Sequence, residues 1–585
     1  MNDFSKKLVL GSSQNIGSRK RRLRRLVSVI LSLALASTMA IFGTACIRVG
    51  PHNSTSENTD TSAENSSATT ASIKSPLTLI SSPDGKTASI TPEYIPAMEE
   101  FAEMYPSFQI NDSGQVVFES AALNLPGANS FSQIYLWSPQ SGLKLISSPD
   151  GKASGAGGSN ITGSHEPQIN DKGQVVFTSN STNLPGANGL YQIYFWDPIK
   201  GVKLVSSHNG KAGSIIPGTY VAGSHEPLIN DRGQVVFTSD ASGLPGANGS
   251  HQVYLWDSKS GVKLISSPDG KKGGEKGYGN GSDQPKINNA GQIVFYSDAP
   301  NLPGANESGQ IYFWQPNGGL SLVSGFERDA AAQHFQESFA INDSGEGVFD
   351  SNALNLPGAN GFAQVYLWRP KGALTLISSP DGKSGGAGVF PDSGSVSPRI
   401  NNKGQIVFES DAGNLLVSDD SHKVIGKNQI YLWDPKAGLS LVSKYENPVV
   451  DNIQGTFELL SSTLAVISVS DGYEYWAGFA DYQLNDSGKI VFSTDNPSLP
   501  GTDTQMQIYC WDSYNGLRLV SSPDSKIGGN QGSYTPVINN SGQVAFESDA
   551  TNLLGYELNI QTNSNENAID YLVPQIYLWN APTPY

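Results

Sequence analysis

A turn signature followed by two apolar runs recurs eight times along the chain, and this repetition constrains the fold more than any other feature. The signature reads N-D-x-G in its commonest form, and a Phe follows four residues after the Gly. A second apolar run has the pattern Q-[IV]-Y-[LFC]-W. The Asn residues that open the eight turns are Asn111, Asn170, Asn230, Asn288, Asn342, Asn401, Asn485 and Asn539. Such repetition indicates one repeat assembly and not several unrelated domains.

Each copy predicts four antiparallel strands. The N-D-x-G signature suits a tight hairpin, in which the Asn and Asp side chains satisfy turn amides and the Gly adopts the left-handed conformation. A second short turn, Asp197-Pro198-Ile199-Lys200-Gly201 in one copy, leads to a further strand. The runs VVF and IYLW are apolar at consecutive positions, so both faces of each sheet are expected to be buried. Four-stranded units of this kind predict the blades of an all-β, eight-bladed β-propeller.

The two ends of the repeat region complement each other. The eighth copy reaches its QIYLW run at Trp579 and lacks a fourth strand. The stretch LTLISS, residues 77–82, matches the fourth strand of other copies, such as LKLISS. We therefore expect the N-terminal strand to complete the last blade and close the ring. Closure removes exposed strand edges that would otherwise pair with other chains.

The repeats resemble a known family. The segment NDKGQVVFTSNSTNLPGANGLYQIYFWDPIKGVKLVSS, residues 170–207, is similar to the WD40-like, TolB-type propeller repeats of bacterial exported proteins. The resemblance covers residues 76–585 and implies a propeller that often serves as a binding platform, without implying one activity. The chain has Ala187-Asn188 where relatives often have Asp-rich loops, so a calcium-binding role of those loops is not implied.

The N-terminal segment predicts export. Basic residues from Arg19 to Arg25 precede an apolar run over 26–43, as in a secretory signal. The following Thr44-Ala45-Cys46 resembles a bacterial lipobox and implies lipidation of Cys46, although Gly43 stands where that family usually has Leu. An uncleaved anchor helix and a cleaved signal without lipid are the alternatives, and all three export the remainder.

The domain prediction follows from these segments. Residues 1–45 are a signal peptide of the lipoprotein type. Residues 46–75, rich in Ser, Thr and Asn, are a disordered tether. Residues 76–585 are the propeller, which we expect to be anchored to the outer side of a bacterial membrane as a monomer.

Charge and cysteine content exclude several classes of protein. The formal net charge is −16, and residues 1–45 carry eight basic residues and one acid, which leaves −23 on the rest of the chain. This balance argues against nucleic-acid binding, which depends on Lys and Arg, and favours neutral or cationic ligands. With only two cysteines there is no disulfide framework. Cys510 replaces the Leu or Phe of other copies, so a buried, inert thiol is expected.

Binding is expected on the long loops. The tight turns share one face of the predicted ring, and the longer NLPGAN and SSPDGK connections share the other. Turn spacing is 54 to 60 residues except for 84 between Asn401 and Asn485, and copies six and eight have extended inner loops. Aromatic side chains there suit stacking on a sugar or holding a peptide. An extra hairpin packed on the blade edge is the alternative. The candidate binding residues are Asp419, Asp420, His422, Tyr473, Glu474, Tyr475 and Trp476.

One set of residues permits a metal site. His165-Glu166 and His225-Glu226 occupy equivalent positions at the entry to the innermost strands of adjacent copies, and two His with two Glu are capable of binding a metal. Capping of that strand is the alternative. The Gln of every Q-[IV]-Y run is expected to be structural because all eight copies have it.

The function expected from the sequence is non-catalytic. No H-E-x-x-H or C-x-x-C motif occurs, and no cofactor is predicted. We expect a cell-surface, membrane-tethered platform that binds protein or glycan. The alternative is a polysaccharide-acting propeller enzyme with the His/Glu metal site at the channel mouth.

Overall fold

The computed structural model describes the repeat region, and every described residue belongs to one compact unit over 73–585. The described residues contain no helix long and apolar enough to cross a membrane. The predicted signal, tether and Cys46 lie outside the described residues, and so do all seven candidate binding residues from Asp419 to Trp476. The described ranges are 76–86, 88–89, 108–129, 131–151, 163–208, 211–212, 223–275, 281–305, 309–323, 338–370, 372–379, 381–388, 394–412, 414–415, 429–443, 481–496, 499, 501, 505–522, 528–530, 532–553 and 574–581.

Short strands make up nearly all the regular structure. They are β1 (Leu77–Leu79), β2 (Phe108–Ile110), β3 (Val116–Ser120), β4 (Gln133–Ser138), β5 (Gly142–Leu145), β6 (Ser164–Ile169), β7 (Val175–Ser179), β8 (Gln192–Asp197), β9 (Gly201–Leu204), β10 (Ser207–His208), β11 (Lys211–Ala212), β12 (Ser224–Ile229), β13 (Val235–Ser239), β14 (Gln252–Asp257), β15 (Gly261–Leu264), β16 (Ser282–Ile287), β17 (Ile293–Ser297), β18 (Gln310–Gln315), β19 (Gly319–Leu322), β20 (Phe339–Ile341), β21 (Gly347–Ser351), β22 (Gln364–Trp368), β23 (Thr375–Leu376), β24 (Ser395–Ile400), β25 (Ile406–Ser410), β26 (Gln429–Asp434), β27 (Gly438–Leu441), β28 (Tyr482–Leu484), β29 (Ile490–Thr494), β30 (Gln507–Asp512), β31 (Gly516–Leu519), β32 (Ser533–Ile538), β33 (Val544–Ser548) and β34 (Gln575–Trp579).

These strands form eight four-stranded antiparallel sheets, which confirms the predicted eight-bladed propeller. Blades 1 to 7 are β2–β5, β6–β9, β12–β15, β16–β19, β20–β23, β24–β27 and β28–β31, and blade 8 has the order β1-β34-β33-β32. A small hairpin, β10 with β11, follows blade 2. The innermost strands are β2, β6, β12, β16, β20, β24, β28 and β32, and they surround the central channel.

Ring closure follows the predicted register. Strand β1 pairs with β34, so that Leu77 lies opposite Trp579 and Leu79 opposite Tyr577. The Ser81 hydroxyl donates to Gln575 Oε1 at 3.0 Å. The same contact joins Ser147 to Gln133 at 2.9 Å within blade 1. The N-terminal segment therefore reproduces in blade 8 the contacts that a continuous chain makes in other blades.

The core lies between adjacent blades. In every blade the Phe of the second strand stacks against the Tyr of the third, as Phe118 does on Tyr135 with ring centroids 5.8 Å apart. Neighbouring apolar residues face opposite blades: Val117 packs with Phe177 of blade 2, whereas Phe118 packs with Ala545 of blade 8. Consecutive apolar residues are therefore buried on both sheet faces, as expected.

The Gln of the Q-[IV]-Y run is structural, as expected. Gln252 is fully buried, and its Oε1 accepts hydrogen bonds from Ser266 at 2.7 Å and from the Gly274 amide at 2.9 Å. Its amide group donates to the Gly274 carbonyl at 2.8 Å. This side chain fixes the long loop after the fourth strand to the start of the third strand.

Candidate functional site

Each N-D-x-G turn is built around its Asn. Asn111 Oδ1 accepts hydrogen bonds from the amides of Ser113 at 3.1 Å and Gln115 at 3.0 Å, which is the local role expected for this side chain. Gly114 has a φ of +72°, and a Cβ there would lie 2.6 Å from Oε1 of Gln543 in blade 8. Glycine is therefore required both by the turn conformation and by the close approach of the neighbouring blade.

The second residue of the turn accepts a turn amide, as predicted, but that amide belongs to the preceding blade. The Asp112 amide donates to Asp171 Oδ1 of blade 2 at 2.8 Å. The Asn111 amide group donates to the Asn170 carbonyl of blade 2 at 3.0 Å. Both contacts recur at all eight blade junctions, including the return from Asn539 and Asn540 to blade 1. We call this closed set of sixteen hydrogen bonds the turn belt.

A bowl-shaped cavity of about 390 Å³ opens inside the turn belt, on the face that carries the tight turns. Each blade contributes three consecutive residues: a branched aliphatic residue, the turn Asn, and the Asp or Asn that follows. The aliphatic residues are Ile110, Ile169, Ile229, Ile287, Ile341, Ile400, Leu484 and Ile538. The eight aliphatic side chains also pack against the core clusters between blades, so the surface that the bowl presents is mainly polar.

The rim residues of the bowl nearly alternate between Asp and Asn around the ring. In blade order they are Asp112, Asp171, Asp231, Asn289, Asp343, Asn402, Asp486 and Asn540. Each of the three Asn amides donates to the Oδ2 atoms of both flanking Asp residues, at distances from 2.8 to 3.2 Å. These amides hold the carboxylates in place and offset their mutual repulsion.

Asp171 is the one rim position that breaks the alternation. It stands between Asp112 and Asp231, where an Asn would complete the pattern, so three carboxylates are adjacent. Its Oδ1 accepts the Asp112 amide, and its own amide donates to Asp231 Oδ1. Burial, together with the charges of Asp112 and Asp231, raises the pKa of the Asp171 carboxyl above its ordinary value. Ionised Asp171 is therefore unfavourable in the folded ring.

Replacing Asp171 by Asn is expected to raise the free energy of unfolding at pH 7.5 by about 1 kcal/mol. The new amide would donate to both flanking carboxylates, as Asn402 does. Because the folded-state pKa of Asp171 is raised, wild-type stability gains from this group as pH falls toward 4. The advantage of the variant should therefore shrink over the same range. Denaturant midpoints at pH 7.5 and 4.5 measure both effects.

Asp343 provides the matched control for this prediction. Its Oδ2 accepts hydrogen bonds from Asn289 at 3.2 Å and Asn402 at 3.0 Å. Asp343→Asn makes the same chemical change but sets an amide against two amides, so it should lower the free energy of unfolding. Equal effects of the two substitutions would show that the alternation does not govern stability.

The four predicted metal ligands lie elsewhere and have separate partners. His165 Nδ1 lies 2.8 Å from Glu119 Oε1. Glu166 Oε2 accepts from the Thr178 hydroxyl at 2.8 Å and the Glu226 amide at 3.0 Å. Glu226 accepts in the same way from Thr238 and from the Gln284 amide, and His225 packs edge-on against His251 at 5.0 Å between ring centroids. Across the described ranges, no group of three or more His, Cys, Asp or Glu is arranged to hold a metal ion. These four side chains therefore do not form the shared ligand set of the enzyme alternative.

The electrostatics of the two histidines differ. Burial disfavours the charged form of both rings. At His165 burial is the largest single influence, but the hydrogen bond to Glu119 and the charges of Glu119 and Glu166 together outweigh it and raise the pKa. At His225 burial dominates and lowers the pKa. Two equivalent positions in successive repeats thus have opposite protonation preferences because only one has a carboxylate partner in the preceding blade.

An uncommon backbone conformation in the innermost strands accounts for the acceptor side chains that the preceding blades place opposite them. Five innermost strands carry a non-glycine residue with a φ between +48° and +56°, and each precedes a proline: Glu166, Glu226, Gln284, Ser397 and Thr535. This conformation is uncommon for such residues. It directs the residue's amide toward the preceding blade, where an acceptor receives it, as Glu166 receives that of Glu226.

Sequence reasoning missed a set of buried acids. The residue after the repeat Phe is Glu119, Asp350, Glu409 or Glu547 in four blades, and the last three are less than 9% exposed. Asp350 accepts hydrogen bonds from the amides of Ser338 at 3.1 Å and Ser397 at 3.3 Å. Burial raises the pKa of Asp350 to about 7 and that of Glu547 to about 8. The sequence feature that could have revealed these acids is a polar residue, different from blade to blade, inside an otherwise apolar strand.

Cys510 is buried, as predicted from its place in the QIYCW run. Burial raises the pKa of its thiol to about 11, so the thiolate is scarce at neutral pH. This environment is that of an inert packing residue.

The chain is similar to one family model and to several solved structures. Residues 54–326 match the model of a family described as "Family of unknown function (DUF7453)". No curated protein matches the sequence. The β-propeller domain of the Trilobed protease from Pyrococcus furiosus is 12% identical, with a TM-score of 0.37, and the match covers 73% of this chain and 98% of that one.

Two further solved structures have similar values. A puromycin hydrolase is 12% identical with a TM-score of 0.37, and the match covers 79% of this chain but 62% of that one, less than two thirds of its length. The Dos1 propeller is 11% identical with a TM-score of 0.36, and the match covers 79% and 94% of the two chains. The chain is a β-propeller protein of eight four-stranded blades, with a DUF7453 match over residues 54–326.

Proposed function

We propose that this protein is a non-catalytic binding platform, exported and tethered to the outer side of a bacterial membrane, for protein or glycan partners. The observation that carries the proposal is the axial bowl of about 390 Å³, to which all eight blades contribute equivalent residues. A rigid ring that presents carboxylate and amide groups is suited to holding a polar ligand by hydrogen bonds, without chemistry.

The composition of the rim supports a ligand that is neutral or cationic. Five of the eight rim residues are carboxylates, and the whole chain has a formal net charge of −16. A cationic group at the rim gains Coulomb energy from these carboxylates. The hydroxyl groups of a glycan are suited to hydrogen bonds with the carboxylates and amides of the rim.

The long-loop face is the second part of the proposal. The candidate residues Asp419, Asp420, His422, Tyr473, Glu474, Tyr475 and Trp476 belong to the extended segments of copies six and seven. Their aromatic and acidic composition suits the same classes of partner as the bowl. The lipobox-like Cys46 and the segment 46–75 support export and tethering.

The test is a glycan-array screen and a cell-surface pull-down with the full chain purified in detergent. We expect binding that falls at least about tenfold, or 1.4 kcal/mol, when either Asp171→Asn in the bowl or Trp476→Ala on the long-loop face removes its site. Glu275→Gln, an exposed acid outside the bowl and outside the extended segments of copies six and seven, is the matched control for the loss of one charge.

The outcomes separate the two surfaces. Loss of binding only with Asp171→Asn assigns the partner to the bowl. Loss of binding only with Trp476→Ala assigns it to the long loops. Binding that both variants and the control retain at wild-type affinity would overturn the proposal for both surfaces.

A further inference from the structure

The tips of the tight turns carry cations and no acids. In the eight N-D-x-G turns, the third residue is Ser or Ala in five copies and Lys172, Arg232 or Lys403 in the other three. Six turns between third and fourth strands are described in full, and their third residues are Gln140, Ile199, Lys259, Asn317, Lys436 and Tyr514. Five of these fourteen tips are therefore cationic and none is acidic, although the chain has 53 acidic residues and 37 basic ones.

Both sets of turns lie at the same end of the blades. Gln174, which follows the first turn of blade 2, donates to Asp197 Oδ2 at the start of the second turn at 2.9 Å. Gln405 and Asp434 make the same contact in blade 6 at 2.9 Å. The fourteen tips therefore form one face around the bowl, which we call the tip surface.

The tip surface also carries the two most exposed hydrophobic side chains of the described residues. Ile199 is 91% exposed and Tyr514 is 93% exposed, whereas the next in order, Leu354, is 65% exposed. Ile199 and Tyr514 occupy the same turn position in blades 2 and 7. Side chains at this exposure add almost nothing to packing within the fold, so their shared position indicates contact with something outside it.

The acids of the same turns are held back from the tips. Asp197 Oδ1 accepts the amides of Ile199 at 3.0 Å and Lys200 at 3.1 Å, so this carboxylate is directed into its own turn. Asp434 Oδ1 accepts the amide of Lys436 at 2.8 Å in the same way. The rim carboxylates line the bowl. A flat surface that approaches this face therefore meets Lys, Arg, Ile and Tyr side chains first.

We propose that the tip surface lies against an anionic lipid bilayer, with Ile199 and Tyr514 in the headgroup region and the cationic tips beside the lipid phosphates. Apolar and aromatic side chains beside Lys and Arg are typical of proteins that bind at the membrane interface. An anionic polymer in solution would attract the cations but would not bury an isolated Ile. The lipid bilayer is therefore the partner that accounts for both kinds of tip.

This proposal rests on the membrane tethering in the proposed function. A tether keeps the ring close to the bilayer, and at such an effective concentration a few weak contacts are sufficient to orient it. The bowl then opens toward the headgroups, and the long-loop face is turned outward to soluble partners.

The test is acetylation of lysines in the full chain bound to vesicles, followed by mass spectrometry of each peptide. Vesicles of phosphatidylcholine are compared with vesicles that also contain phosphatidylglycerol. On the anionic vesicles, acetylation of Lys172, Lys259 and Lys436 should slow about fivefold. Lys271 and Lys383, exposed on the SSPDGK loops of the opposite face, should react at the same rate on both kinds of vesicle.

A double substitution tests the apolar tips. Ile199→Ser with Tyr514→Ser should return the acetylation rates of the tip lysines to within about twofold of those on neutral vesicles. The matched control is Leu123→Ser with Leu354→Ser, which changes two leucines that are 48% and 65% exposed on the NLPGAN loops of the opposite face. The control should retain the full protection.

Three outcomes would overturn the contact with the bilayer. They are equal rates of the tip lysines on the two kinds of vesicle, protection that survives Ile199→Ser with Tyr514→Ser, and equal protection by dextran sulfate in solution, which would assign an anionic polymer. Failure of the full chain to float with phosphatidylcholine vesicles would instead contradict the tethering. The rates on phosphatidylglycerol vesicles would still decide whether the tip surface binds lipid.

Discussion

Replacement of Asn230 by Ala is expected to lower the free energy of unfolding by about 3–5 kcal/mol. The side chain is 4% exposed and makes four hydrogen bonds. Its Oδ1 accepts from the amides of Arg232 at 3.1 Å and Gln234 at 3.0 Å. Its amide donates to Gln234 Oε1 and to the Asn288 carbonyl of the next blade, both at 3.0 Å. Alanine leaves buried turn groups unpaired and interrupts the turn belt.

Denaturant unfolding of wild type and variant measures this loss. Arg232→Ala is the control in the same turn, since the Arg232 side chain makes only an exposed contact with the Ala290 carbonyl. It should change the free energy by less than about 0.5 kcal/mol. Similar effects of the two substitutions would mean that the belt contributes little to stability.

Leu79→Ala is expected to lower the free energy of unfolding by about 2–5 kcal/mol and to promote self-association. Leu79 is 3% exposed and packs in one cluster with Tyr577 and Trp579. Strand β1 has only three residues, so the loss of one buried side chain weakens the whole pairing of β1 with β34. Release of β1 exposes the edge of β34, which is free to pair with other chains.

Thr78→Ala is the control for the closure strand. Thr78 lies between the two buried leucines and is partly exposed, so its replacement should cost less than about 1 kcal/mol. Denaturant midpoints and light scattering after size-exclusion chromatography give stability and association state. A Leu79→Ala protein that is as stable and as monomeric as Thr78→Ala would contradict the assigned role of β1.

The fold was predictable because its signals are local and repeated. The N-D-x-G turn, the apolar run before Trp137 and the matching end strands each reported on strands that pair with near neighbours in sequence. Because each sequence pattern recurs in eight copies, it is distinguishable from a chance match. The closing strand was recognisable because Leu77–Leu79 carries the same pattern as fourth strands elsewhere.

The site was less predictable because it depends on contacts between blades. Nothing in a single repeat shows that the Asp112 side chain accepts the Asn540 amide of blade 8 and not an amide of its own turn. The cavity lies on the tight-turn face, whereas loop length had directed attention to the other face. The burial of Glu547 was not predictable for the same reason. A single polar residue in an apolar run can be interpreted only when its neighbours in space are known.

The turn belt and the alternation of rim residues place different limits on the number of blades. The bonds of the belt all run in one rotational sense, from each blade to the next, so any copy is able to follow any other. Blade number is therefore free to change by duplication or loss of whole copies without leaving a donor unpaired. Alternation of Asp and Asn is stricter, because only an even ring can alternate completely. An eight-membered ring permits it, and this chain is one residue, Asp171, away from it. A seven- or nine-membered relative would always retain at least one pair of like neighbours.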